Sequence, residues 1–234
     1  MVKKRVRLHE GATKTMYEGP KPGTLIQSFR DDIRLPDGKT GVIDGKGAIN
    51  NRISSFLMSR LSEIGVHNHF IHRLNMREQL VGYVEILPIA LKVRNFAAGS
   101  FCTRFGVAEG TQLPRSIIEM YLKSDELGDP MVTEEHITAF GWAYPEDLDD
   151  MVAMAIRVND YLSGMMLGAG LKLVDMRLEF GWFAGEDQDR IILADEITPD
   201  SCRLWDANDN RKLGGVDGTI ETYQEIAKRL GIIG

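Results

Sequence analysis

Residues 171–183, LKLVDMRLEFGWF, followed at 190–200 by RIILADEITPD, decide how this chain is read. In the first stretch alternate residues share a face: Val174, Met176, Leu178, Phe180 and Trp182 on one side, Asp175, Arg177 and Glu179 on the other. That is the pattern of a strand with one buried face. The second stretch reads as its antiparallel partner, the two joined through AGEDQD at 184–189. With Phe183 paired to Ile191, Glu179 falls opposite Asp195, both carboxylates on one face. Like charges so close repel unless a cation separates them, and a hard ion with oxygen ligands suits that place. A hairpin with one solvated face is the competing reading.

Working outward, residues 92–106 read KVRNFAAGSFCTRFG. Ala97, Ala98, Gly99 and Ser100 allow close backbone approach, and Arg94 and Arg104 flank them, a composition that suits a phosphate or another anion. An ordinary tight turn with surface arginines reads equally well. Before it, residues 66–74, 80–87 and 89–94 are rich in Val, Ile, Phe and Tyr and read as strands. Ile49, Ile53, Phe56, Leu57, Leu61 and Ile64 recur at helical spacing, with Gly65 as the stop. The first 45 residues are short β-prone pieces divided by GPKPG and LPDGKTG, which predicts an antiparallel meander.

After the turn, 113–122 and 134–140 are short helix candidates. Pro145, Glu146 and Asp147 open a long helix that Gly168 and Gly170 end. A last helix spans 219–230, with Ile220, Tyr223, Ile226, Ala227 and Leu230 on one face. The expected architecture is α+β in two lobes, 1–95 and 96–234, with a cleft between them.

Composition narrows the function classes. The 234 residues carry 28 Lys+Arg against 34 Asp+Glu, a net charge of −6, which argues against a phosphate-backbone binder. Cys102 and Cys202 are too few for a disulfide framework, and no stretch reads as a secretory signal or membrane helix, so a cytoplasmic protein is expected. GVIDGKG at 41–47 lacks the spacing of a phosphate loop. His67, His69 and His72 do not share one strand face, and no fourth metal ligand is evident.

With these segments in hand, the chain resembles the SAICAR (phosphoribosylaminoimidazole-succinocarboxamide) synthetase family. The resemblance is carried by HEGATKTMYEG, DGKGAINNRIS, RLNMREQL, VRNFAAGS, EEHITAFGW, VDMRLEFG, LADEITPDSCRLWD and ETYQEIAKRLG, in that order along most of the chain. It implies an antiparallel β lobe like that of nucleotide-dependent kinases, a larger α/β lobe, and ATP in the cleft. It also implies the reaction: L-aspartate is joined to the carboxylate of carboxyaminoimidazole ribonucleotide in de novo purine biosynthesis, and ATP becomes ADP and phosphate. The expected route is carboxylate phosphorylation, then attack by the aspartate amine. By the same resemblance Glu179 and Asp195 hold Mg²⁺ on the ATP phosphates and Lys14 touches those phosphates. Glu85 to Leu87 lie along the adenine. Arg94, Ser100 and Arg203 grip the ribonucleotide phosphate, and Asp175 and Arg177 face the imidazole and its carboxylate. Asp32 and Lys46 are candidates for the amine side, and a homodimer is expected.

The chain departs from the family pattern at three places. Ala12 stands where the opening motif has Lys, and Ile33 to Gly38 replace a Thr-x-Phe stretch. The Asp-Lys-Asp-x-Phe-Arg segment after RLWD is missing, which leaves Arg211 and Lys212 as the cations there. A paralogue acting on another amine or azole carboxylate, and an inactive nucleotide-binding relative, are therefore the alternative readings. The joint presence of Glu179, Asp195, Arg94, Ser100 and Arg203 favours a ligase.

Overall fold

A computed structural model describes residues 5–34, 39–184, 189–215 and 218–234. Strands β1 (Arg7–Glu10), β2 (Lys14–Glu18) and β3 (Thr24–Phe29) form the expected meander. The GPKPG turn closes with the Gly19 N–H donating to the Thr24 carbonyl at 3.0 Å. A small ribbon of β4 (Asp32–Arg34) and β5 (Thr40–Val42) follows; Leu35 to Gly38 of the second predicted turn lie outside the described residues. Helix α1 (Lys46–Glu63) ends where expected: Gly65 has φ 78°, and the Val66 N–H returns to the Leu61 carbonyl at 2.9 Å. Then come β6 (Phe70–Arg73), β7 (Glu78–Gly82) and β8 (Glu85–Phe96).

The remaining elements are α2 (Ser100–Phe105), β9 (Gln112–Leu122), β10 (Met131–Val132), α3 (Glu134–Ala139) and α4 (Pro145–Gly168). They continue with β11 (Leu171–Phe183), β12 (Arg190–Ala194), β13 (Cys202–Asp206), β14 (Lys212–Leu213) and α5 (Ile220–Arg229). Helix α4 starts as its sequence dictates, with Pro145 in the first turn and the Asp147 carboxylate accepting from the Tyr144 N–H at 2.9 Å. The architecture is α+β.

Two antiparallel sheets organise the molecule. The first runs β1-β2-β3-β7-β6; the second is built on β11, which pairs with β8 along one edge and shares the other between β13 and β12. Strands β9 and β10 extend the second sheet beyond β8. The main core lies where α1 and α4 cover this sheet, with Leu57, Leu61, Met151, Val158 and Leu162 against Ile89, Leu91, Met176, Leu178 and Phe180, all buried. Each such side chain contributes roughly 1.5–3 kcal/mol through burial.

Three expectations change. Residues 113–122 form strand β9, because pairing with β8 outweighs their local helical spacing. Strand β8 belongs to the second sheet, so the change of sheet falls after Gly82 rather than near Asn95. Val174 leaves the apolar face of β11: the ladder with β13 shifts between Leu173 and Asp175, and Val174 packs instead with Ala98 and Trp205.

Candidate functional site

The first sheet and the far end of β11 enclose a cleft of about 760 Å³. Its acidic wall comes from the hairpin that opened the sequence reading, but in a different register. Phe183 pairs with Arg190 and Glu179 with Ala194, so Asp195 falls one residue past the strand. There it takes a left-handed φ of 62°, uncommon for a side-chain-bearing residue. That turn still brings Asp195 into the same cleft as Glu179. The His69 Nε2 lies 2.8 Å from the Asp195 carbonyl and holds the turn from below.

Each carboxylate of the cleft has a cation. Lys123 Nζ is 2.5 Å from Glu179, and Arg177 Nε is 3.4 Å from it. Lys14 bridges Asp195 and Glu196, and Glu196 also accepts from Thr13 at 3.0 Å and Thr198 at 2.9 Å. Burial works against ionisation of Asp195, yet the charge and hydrogen bond of Lys14, with Lys123 and His69, outweigh it and hold the carboxyl below its usual range. Lys14, conversely, is held protonated: burial opposes its charge, but Asp195 and Glu196 raise its pKa. Burial lowers the His69 pKa to about 4, so its imidazole is neutral near pH 7.

A second cavity, of about 340 Å³, opens at the other end of β11. Here the balance of charge is reversed. The single buried carboxylate Asp175 faces Arg203 at 2.8 Å, Arg94 at 3.2 Å and Lys92 at 3.7 Å. Gly99, with φ 57°, lies against Arg203, and a Cβ there would sit 3.0 Å from its guanidinium. Ser100 is exposed beside it. Arg94 lies one layer beneath: it is 1% exposed, lines neither cavity, and donates to Glu119 at 2.6 Å as well as to Asp175.

Arg177, Asp200 and Ser201 line both cavities and form the junction between them. Asp200 is held by Lys46, by Tyr223 and by Asn50 at 2.7 Å, so Lys46, wholly buried, acts through Asp200. Asp32 pairs with Arg30 at 2.7 Å and lines neither cavity. Along β8 the cleft takes Ile86, with Tyr83 and Val84 just before the strand; Glu85 is exposed and the Leu87 side chain packs in the main core.

Sequence reasoning missed Lys123, Lys92, His69, Glu196 and Asp200. Lys123 was hidden by the helical reading of 113–122, and Lys92 was legible as the residue two before Arg94 on one strand. Glu196 and Asp200 sit in the quoted EITPD stretch, where no alternation assigns a direction.

With that geometry in place, comparison with known proteins is decisive. The family model described as SAICAR synthetase matches residues 7–219. The chain belongs to the SAICAR synthetase family. A phosphoribosylaminoimidazole-succinocarboxamide synthase of Rhodospirillum centenum is 60% identical over 98% of this chain and 93% of its own length. Among solved structures of the family, the phosphoribosylaminoimidazole-succinocarboxamide synthase of Ehrlichia chaffeensis superposes with a TM-score of 0.93 at 42% identity, covering 97% of this chain and 99% of its own. A SAICAR synthetase in complex with ADP superposes with a TM-score of 0.89 at 36% identity, covering 95% and 96%.

Proposed function

We propose that this chain is an ATP-dependent ligase of de novo purine biosynthesis that joins L-aspartate to the carboxylate of carboxyaminoimidazole ribonucleotide, giving SAICAR, ADP and phosphate. One observation carries the reading. Strand β11 runs from Asp175 in the cation-rich cavity to Glu179 in the acidic cleft, a span of about 13 Å at a strand's rise per residue. Arg177 stands between them at the junction. A phosphorylated acid bound at one end thus presents its carboxylate to a nucleotide bound at the other.

In this reading Ser100 and Arg203 take the ribonucleotide phosphate against the open backbone at Gly99, and Arg94 beneath them keeps Asp175 and the local charge in place. Asp175 orients the azole ring. Arg177 draws the carboxylate toward the junction and offsets the negative charge that grows during transfer, which is where electrostatic stabilisation has its largest effect. Lys14 and Lys123 provide cations along the phosphates. Asp200, fixed by Lys46 and Tyr223, faces the same junction and is placed to orient the incoming amine.

The donor set of the cleft fits Mg²⁺. Among the described residues no group of three or more His, Cys, Asp and Glu could hold a metal alone. Mg²⁺ is commonly bound by one or two carboxylates plus substrate phosphates, which is what Glu179 and Asp195 supply. When bound there the ion would neutralise phosphate charge, and Lys123 and Lys14 would release their carboxylates to it. No helix among the described residues is long and apolar enough to cross a membrane, and the family resemblance extends the reading to a cytoplasmic homodimer.

The test is ADP release from Mg²⁺–ATP and carboxyaminoimidazole ribonucleotide, with and without L-aspartate. Aspartate-dependent ADP release with formation of the succinocarboxamide is expected. ADP release indifferent to aspartate, or none, would overturn the assignment of the amine or of the reaction.

A further inference from the structure

One feature of the cleft is used by none of the chemistry above. Gln27 and Gln79 are directly opposed in the ladder between β3 and β7, and they are 1% and 0% exposed. Both the amide oxygen and the amide nitrogen of each side chain lack a hydrogen-bond partner. An orphaned buried polar group is destabilising, so two adjacent unpaired carboxamides are a large local cost for a sheet. Gln27 lines the acidic cleft, as does Met16 beside it in the ladder.

Position along the sheet narrows what could complete it. On the cleft face of β2 and β3, the Met16–Gln27 pair has Lys14 on one side and Leu25 on the other, each two residues and about 7 Å away. Lys14 belongs to the charged end with Asp195 and Glu196. Leu25, with Tyr83, Val84 and Ile86, marks an apolar end. Resting on the reading of this cleft as the nucleotide site, Gln27 then falls between the phosphates and the base. A carboxamide offers both donor and acceptor. Phosphate oxygens only accept, whereas vicinal hydroxyls donate and accept.

We propose that Gln27 reads the sugar hydroxyls of a ribonucleotide bound in the cleft. The Gln27 carboxamide, buried at the cleft wall without a partner, is completed by the ligand, and the unliganded protein carries its cost.

The test measures ADP, 2′-deoxy-ADP and 3′-deoxy-ADP binding calorimetrically to the full chain and to Gln27→Leu, with the melting temperature of each. The unaltered protein is expected to bind ADP about tenfold more tightly than at least one deoxy form, equivalent to about 1.4 kcal/mol. Gln27→Leu is expected to bind all three within about twofold of one another and to melt no lower than the unaltered chain, since it removes an unpaired polar group. Equal affinity of the unaltered chain for ADP and both deoxy forms would overturn the proposal whatever the variant does, as would a preference that survives in Gln27→Leu. Absence of any ADP binding would overturn the nucleotide reading of the cleft and this proposal with it.

Discussion

The two ends of β11 solve opposite electrostatic problems with the same strand. At Glu179 the cleft collects carboxylates, with Asp195 and Glu196 close by and lysines Lys14 and Lys123 set against them. At Asp175 one carboxylate is ringed by Arg94, Arg203 and Lys92. In the first arrangement each carboxylate is met by a cation, in the second three cations share one carboxylate. What separates them is four residues of extended chain, so a single strand fixes the distance between an acidic end and a cation-rich end. Loops could not hold that spacing as rigidly.

The sharpest way to break this contrast is at the acidic end. Glu179→Gln removes one of two carboxylates available to Mg²⁺ and is expected to lower kcat by about 10³-fold while the melting temperature stays within a few degrees. Steady-state kinetics and a melting curve check both halves, and unchanged turnover would remove the metal assignment. At the other end, Arg94→Met leaves Glu119 and Asp175 buried without their shared guanidinium. A stability loss of about 3 kcal/mol in urea unfolding is expected, since half of a buried ion pair is costly. A loss of ribonucleotide affinity at full stability would instead make Arg94 a direct ligand.

A comparable effect is expected from acid. His69 titrates near 6.5 when unfolded and near 4 when folded, because burial disfavours the imidazolium. Between these values the unfolded chain binds the additional proton, so stability is lost as pH falls through that window, by roughly 3 kcal/mol in full. Asp195, with its lowered carboxyl pKa, adds to the loss at still lower pH. Melting curves between pH 7 and 4 should therefore fall steeply, and those of His69→Gln less so; equal slopes would show that His69 does not carry the effect. The smallest change is expected at Arg34, whose bridge to Asp125 at 2.8 Å lies in open solvent. Arg34→Ala should leave the melting temperature unaltered, as exposed pairs usually do.

Much of this contrast was legible in the residues, and the places where it was not share a cause. The alternation of 171–183 named Asp175, Arg177 and Glu179 together, and helices α1, α4 and α5 followed from periodicity and end signals. Periodicity cannot see a bulge or a left-handed residue, however. The shift at Val174 changed the core face, and the β11–β12 ladder runs one residue off the pairing expected from alternation, with the left-handed Asp195 just beyond it. Both carboxylates still line one cleft, because Asp195 turns into it from beyond its strand. Tertiary pairing hid the rest: once 113–122 is read as a helix, nothing brings Lys123 to Glu179, and no local signal says that Arg94 is sealed while Lys92 and Arg203 are not.

In the proposed reaction the two ends of β11 act on one pair of ligands across Arg177, so that a phosphoryl group passes to the carboxylate held on the Asp175 side. That transfer is tested most directly by running the reaction with carboxyaminoimidazole ribonucleotide labelled with heavy oxygen in its carboxylate, and analysing the phosphate released. The expected result is one labelled oxygen in each phosphate formed, carried over when the amine displaces it. Unlabelled phosphate alongside ADP would show that water, not the carboxylate, receives the phosphoryl group, and would contradict the account.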